Sequence, residues 1–208
     1  MEKIKLMETK TIQDYSQCGE QLHLLNYFGE IKGTFMDIGA NDGKTFSNSY
    51  ALALLGWHGV CVEPTDRAFN ALSELYKNNK NVQCLQYCIG DKNEIVDFWE
   101  PHDTLVATTN KSETHKWERG LGFVYEKFKK EMITVEVLLQ KTKYKQFDFI
   151  NIDVEGNDFQ ILKQFDLRET KAVCIEVNED PRKKYIEYMK EKGFFLLKDT
   201  NINLIFAK

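Results

Sequence analysis

Apolar positions fall into short dense runs separated by stretches with helical spacing. Phe35, Met36 and Ile38 end at a glycine turn, and Val60-Cys61-Val62, Val82 to Cys88, Phe149-Ile150-Ile152 and Ala172 to Val177 repeat the pattern. Runs this short, bounded by Gly, Asp or Asn, read as buried strands. Phe46 to Leu55, Pro64-Thr65-Asp66 to about Lys77, Phe159 to Phe165 and Pro181 to Lys192 read as helices, with Gly56 and Gly193 as stops. Before the first strand, Leu22, Leu24, Leu25 and Phe28 mark one side of a short helix. Glu94 to Trp99 alternates as a further strand, and FFLLKD and INLIFA read as a closing hairpin. Alternating strands and helices predict one doubly wound α/β sheet. Residues 1–208 are read as a single domain, with 1–33 as its helical lead-in.

One stretch breaks the pattern. Residues 101–131 are long, charged and sprinkled with aromatics, and loops of that length inside a compact domain are usually functional or mobile. We read them as a substrate-side insertion, partly helical through Phe123 to Phe128. His115, Trp117 and Arg119 are its candidate acceptor contacts, and most of its Lys and Glu residues are a solvated face.

Composition narrows the partners. In 208 residues, 42% are hydrophobic and 12% aromatic, enough for a full core, while the net charge is −4. A sequence pI near 5.7 predicts no nucleic-acid or anionic-membrane partner. The five cysteines (Cys18, Cys61, Cys84, Cys88, Cys174) form no CxxC pair and lie mostly in apolar runs, as small core residues of a reducing compartment do. No apolar run approaches the roughly 20 residues of a membrane span, and MEKIKLMETK lacks the apolar region of a signal peptide. A cytoplasmic location without membrane insertion is the expectation.

Candidate chemistry starts in TFMDIGANDG, residues 34–43. Gly39 and Gly43 permit a tight turn and close approach of a ligand. Asp37 stands near the strand end where open α/β sheets collect ligands, and Glu63 stands at the neighbouring strand end, suited to a ribose. The spacing lacks the third glycine of GxGxxG, and acids beside the turn disfavour a pyrophosphate. They suit a cationic, phosphate-free nucleoside, for which S-adenosylmethionine is the fit. Ser16 is either a helix cap or, with Gln17, a reach into the pocket. Asp91 is either an adenine contact or a turn residue. Farther on, FDFINIDVEGND places Asp153 and Glu155 at another strand end, with Asn157 or Asp158 as helix cap. Ala172 to Val177 presents Glu176, followed by Asn178.

The blocks YSQCGEQ, FMDIGANDGKTFSNSYALALLGWHGVCVEP, CIGD and FDFINIDVEGNDFQIL resemble the FkbM-type methyltransferases, a branch of the class I S-adenosylmethionine-dependent enzymes. The resemblance runs in order from about Tyr15 to Val177. It implies a Rossmann-like, mostly parallel seven-stranded sheet with an antiparallel C-terminal hairpin strand and helices on both faces. It also implies that Asp37, Gly39, Asn41 and Gly43 line the methionine end of the cofactor and that Glu63 holds its ribose. Cys88, Ile89, Gly90 and Asp91 would flank the adenine. Gln17, Ala40, Ser47, Asn48, Pro64 and Asp153 complete the expected cofactor set. Members of the family methylate hydroxyl oxygens of sugars and secondary metabolites. Two departures stand out: Gln21 replaces an expected acid, and Asn157-Asp158 replace a small residue and Glu.

An alcohol acceptor needs a positioned base. Asp153 is the first candidate, Glu155 and Glu176 are the second acids of the same cluster, and His115 is a reserve. The same carboxylates suit a divalent metal such as Mg²⁺, which would lower the acceptor's pKa; sequence alone leaves base and ligand open. The expected acceptor is a sugar or glycan hydroxyl, with a deoxyhexose such as rhamnose or fucose in view. The chain would also serve as one module of a larger glycan-assembly protein. Alternative readings are a small secondary metabolite as acceptor, a nucleotide-cofactor oxidoreductase, and a catalytically silent cofactor-binding domain. The missing GxGxxG counts against the oxidoreductase, and the retained Asp37, Glu63 and Asp153 count against a silent domain.

Overall fold

A computed structural model describes residues 13–101, 106–177 and 181–208; the side chains of residues 112, 113, 116, 117 and 121 fall outside that description. In chain order the elements begin with α1 (Glu20–Phe28), β1 (Thr34–Ile38), α2 (Tyr50–Leu54), β2 (His58–Val62) and α3 (Asp66–Tyr76). Next come β3 (Val82–Leu85), β4 (Cys88–Ile89), β5 (Glu94–Pro101), α4 (Lys111–Leu121), β6 (Tyr125–Ile133) and α5 (Val135–Lys141). The chain ends with β7 (Phe149–Ile152), α6 (Asp158–Leu162), β8 (Ala172–Glu176), α7 (Arg182–Glu191), β9 (Phe195–Asp199) and β10 (Asn203–Ala207).

Seven strands form the main sheet in the order β3-β2-β1-β7-β8-β10-β9. All pairs from β3 to β8 are parallel, and β10 runs antiparallel to both β8 and β9. The pleat sorts side chains to two faces. Phe35, Cys61 and Phe149 pack with Leu24 and Phe28 of α1, Leu52 of α2 and Leu72 of α3. Met36, Ile38, Val60, Val62, Ile150 and Ile152 pack with α5, α6 and α7 through Leu138, Ile161 and Met189. Each fully buried side chain of this kind contributes about 1.5–3 kcal/mol. Phe28 meets the Trp57 ring edge-on at 4.7 Å, which seats α1 across the sheet.

The expected fold is present, with local differences. Val82 to Cys88 is not one strand: the chain leaves the main sheet after Leu85, and Cys88-Ile89 pair with β6 in a second sheet ordered β4-β6-β5. Phe123 to Phe128 is not helical either. From Tyr125 the chain is strand, pairing antiparallel along the whole of β5, and the helix of this region is α4. β6 is exposed along most of its length and buried only at Met132 and Ile133, so its pairing with β5, rather than an apolar face, makes it a strand. Phe46 does not start α2; its φ of +55° lies in the left-handed region, so the helix begins only at Tyr50. Leu22, placed with the buried stripe of α1, is 58% exposed. Most of the polar lead-in, residues 1–12, and Asn178 lie outside the described residues.

Candidate active site

A cavity of about 580 Å³ is lined by residues that follow the C-terminal ends of β1, β2, β7 and β8. Two turns build its working surface, and they touch. Gly39 has φ +84°, and a Cβ there would lie 1.6 Å from the Asp153 carbonyl oxygen. Asp153 in turn donates its N–H to the Ile38 carbonyl at 2.9 Å. The first glycine therefore serves the approach of the chain leaving β7, and it also lies on the cavity wall.

The first turn spends its own amides. Gly39 and Ala40 donate to the Val62 carbonyl, Gly43 to that of Ala40, and Lys44 and Thr45 to Asp42 Oδ1. Asn41, held at φ +47°, donates its N–H to Glu63 Oε2 at 2.9 Å. A phosphate cradle needs such N–H groups turned outward. None of these is available for that purpose.

Glu63 lines the cavity and is buried. Its Oε1 accepts from both the N–H and the hydroxyl of Thr65, at 2.8 and 2.7 Å, leaving the spare acceptor capacity on Oε2. Burial pushes its pKa up to about 7 against those hydrogen bonds. Asp37 lies deeper, 1% exposed, accepting from Ser49 Oγ and from Asn151 Nδ2 at 2.9 Å. Asn151 Oδ1 accepts from Asn48 Nδ2 at 3.0 Å. This buried polar chain links the first turn to β7, and burial raises the Asp37 pKa.

The second turn gathers acids. Carboxylate oxygens of Asp153, Glu155 and Glu176 all lie within 4.8 Å of one another. Glu155 takes φ +57°, an uncommon conformation for its residue type. Asp158 holds the turn by accepting from the N–H groups of Val154 and Gly156 at 2.9 and 3.1 Å. Thr108 Oγ1 donates to the Glu155 carbonyl at 2.9 Å, tying the 101–131 stretch to the acids. Desolvation, then the negative neighbours Glu176, Glu155 and Asp158, push the Asp153 pKa well above the carboxylate range. Desolvation and then Glu176 raise Asp158 to about 7. A side-chain hydrogen bond with Glu176 adds to the same upward push on Asp153.

The structure brings Gln17, Asp37, Gly39, Ala40, Asn41, Ser47, Glu63, Pro64, Cys88, Ile89, Asp153, Glu155 and Glu176 onto the cavity wall. It leaves Gly43, Asn48, Gly90, Asp91 and His115 off it. Gly43 is there for packing: a Cβ would sit 2.6 Å from Leu72. Gly90 packs against Met132 in the same way, and Asp91 is exposed. His115 and Arg119 are exposed, His115 pairing with Glu118, while the Trp117 side chain lies outside the described residues. Ser16 is not on the wall; its hydroxyl accepts from the first-turn N–H of Gln21 as a capping side chain does, although Gly19 occupies the N-cap position. Gln21, at the expected acid's position, fastens the lead-in by bonding Tyr15 and Gln13.

Sequence reasoning missed the apolar wall. The insertion faces the cavity with Val106, Ala107, Thr109 and Phe123, joined by Phe98 and Tyr87, while Lys127 and Lys129 are exposed and pair with Asp97. Polarity counted along the stretch therefore misstates what a ligand meets. Asn151 carried a usable signal, one amide in the apolar run FINI. Thr108 carried none.

Among solved structures this fold recurs in methyltransferases of low sequence identity. The FkbM methyltransferase of Methylobacillus flagellatus KT matches with TM-score 0.55 and 10% identity, over 85% of this chain and 44% of that one. Precorrin-6y C5,15-methyltransferase from Geobacter metallireducens GS-15 matches with TM-score 0.50 and 12% identity, over 96% and 91%. A Thermus thermophilus 16S rRNA N2 G1207 methyltransferase, solved with S-adenosylmethionine and guanosine, matches with TM-score 0.50 and 16% identity, over 97% and 44%. No match was found among curated proteins. The strand order is that of the Rossmann-like fold these methyltransferases share. The family model of the Methyltransferase FkbM domain matches residues 37–196, and the chain belongs to that family. It is thus an S-adenosylmethionine-dependent methyltransferase. The site fits that cofactor's chemistry, because the turn offers no phosphate cradle while a buried carboxylate with spare acceptor capacity suits a ribose.

Proposed function

We propose that the protein transfers the methyl group to a hydroxyl oxygen of a sugar in a glycan, a 6-deoxyhexose being the best fit. The observation that carries this reading is the Asp153–Glu155–Glu176 cluster beside an apolar wall. Bound S-adenosylmethionine supplies the electrophilic methyl and the sulfide leaving group. This chain's residues then have three tasks. Glu63 and the first turn orient the cofactor. Phe98, Phe123 and Val106 exclude water and offer a surface for the C–H face and C-methyl of a deoxysugar. The Asp153–Glu176 pair offers a carboxylate to take the hydroxyl proton as the new C–O bond forms and the methyl leaves the sulfur.

The three clustered carboxylates are also spaced to share one divalent cation, which would lower the hydroxyl's pKa instead. The apolar wall favours a second acceptor class, a small secondary metabolite whose hydroxyl sits in an apolar frame. A methyl-transfer screen over methyl glycosides of deoxyhexoses, hexoses and phenolic alcohols, each with Mg²⁺ or chelator, separates these readings. Turnover confined to deoxyhexosides and indifferent to chelator supports the base mechanism on a sugar. Turnover confined to phenols removes the sugar.

A further inference from the structure

We infer that the acceptor enters this cavity without a phosphate or carboxylate group, so that methylation acts on sugar already released from its nucleotide or phosphate carrier. The inference rests on the reading of the cavity as a methyl-acceptor site and names the charge class of what it accepts. Among the described residues the wall carries Asp37, Glu63, Asp153, Glu155 and Glu176, and it carries no Lys, Arg or His. Protonation can bring such a wall to neutrality and never to positive charge. The lysines of the neighbouring second sheet are committed elsewhere: Lys127 and Lys129 pair with Asp97, and Lys130 pairs with Asp66.

Backbone donors do not make up the deficit. The amides of Gly39, Ala40, Asn41, Gly43, Lys44 and Thr45 are taken by Val62, Glu63, Ala40 and Asp42. Those of Val154 and Gly156 are taken by Asp158. The remaining wall combines apolar side chains (Phe98, Val106, Ala107, Phe123) with uncharged amides and hydroxyls such as Asn157 and Thr109, none of which supplies the positive charge that would offset an anion's lost hydration. S-adenosylmethionine itself is no exception, since its ammonium and sulfonium outweigh its one carboxylate. An acceptor phosphate would meet like charge and apolar surface together. The reaction that supplies the acceptor is then one that has discarded phosphate, such as glycosyl transfer from a nucleotide-activated donor.

The test is binding to the S-adenosylhomocysteine-loaded protein of matched pairs, each with Mg²⁺ and with chelator. One pair is a methyl 6-deoxyhexoside and the corresponding glycosyl phosphate; the other is benzyl alcohol and benzyl phosphate. The expected result is binding of the neutral member at least tenfold more tightly in both pairs. A phosphate that binds as well as its neutral partner, in either pair and with or without Mg²⁺, overturns the inference. If neither sugar binds but benzyl alcohol outdoes benzyl phosphate, the charge inference stands and the sugar acceptor falls. Binding of neither neutral compound overturns both.

Discussion

The two turns at the heart of this molecule are built alike and used differently. Each leaves a parallel strand of the main sheet, each contains a residue other than glycine at positive φ (Asn41 and Glu155), and each is held by a buried carboxylate accepting main-chain N–H groups. Glu63 reaches the first from a neighbouring strand and Asp158 holds the second from its own helix. The difference lies in what remains for a ligand. The first turn presents, at Glu63, one cavity-lining carboxylate with spare acceptor capacity, which suits recognition. The second presents several carboxylates crowded together, and burial followed by the negative neighbours raises the proton affinity of Asp153 and Asp158, which suits chemistry.

Gly39→Ala should break both turns at once. A Cβ at φ +84° pressed against the Asp153 carbonyl forces β1 and β7 apart, and a loss of about 3 kcal/mol or more is expected. Urea unfolding measures it, with cofactor binding and turnover falling together. Asp153→Asn should separate the turns: turnover drops by about 100-fold or more, while S-adenosylhomocysteine affinity stays within about threefold. Single-turnover kinetics beside calorimetry check that split.

Glu63→Gln sharpens the comparison through pH. The folded-state pKa of Glu63, about 7, lies above its ordinary value of 4.5, so the folded protein keeps a proton that the unfolded chain has released. Its contribution to the stability of the ligand-free protein is therefore lost as pH rises from about 4.5 to 7, by about 3 kcal/mol in full. A ribose hydroxyl donates best to the ionised form. Cofactor affinity should weaken below pH 7 in the wild type, and the Gln variant should flatten that profile. The smallest effect belongs to Thr108→Val, which removes the tie to the Glu155 carbonyl. A stability loss of about 1 kcal/mol is expected with a few-fold fall in turnover. His115→Ala, exposed and off the cavity, should change both by less than the scatter, about 0.5 kcal/mol in stability.

What the sequence made legible follows the same division. Strand ends were readable because Asp37, Glu63, Asp153 and Glu176 each close a dense apolar run, and period and length alone placed them at one edge of a sheet. The paired use of Gly39 was not readable, because the partner that forbids its Cβ lies on a strand far along the chain. The split after Leu85 was hidden for a similar reason: Cys88-Ile89 look like the continuation of a strand until β6 is there to pair with them. The 101–131 stretch was misjudged through its average. Charges dominate it by count, yet Val106, Ala107 and Phe123 line the cavity beside the Thr108 tie, while Val124 and Phe128 stay exposed.

The division between the turns is tested most directly by calorimetric titration of S-adenosylhomocysteine into wild type, Glu63→Ala and Asp153→Asn. Tight binding to wild type and to Asp153→Asn, with at least tenfold loss in Glu63→Ala, or about 1.4 kcal/mol, is the expected result. Unchanged affinity in Glu63→Ala, or no binding by folded wild-type protein, would contradict the assignment of recognition to the first turn and chemistry to the second.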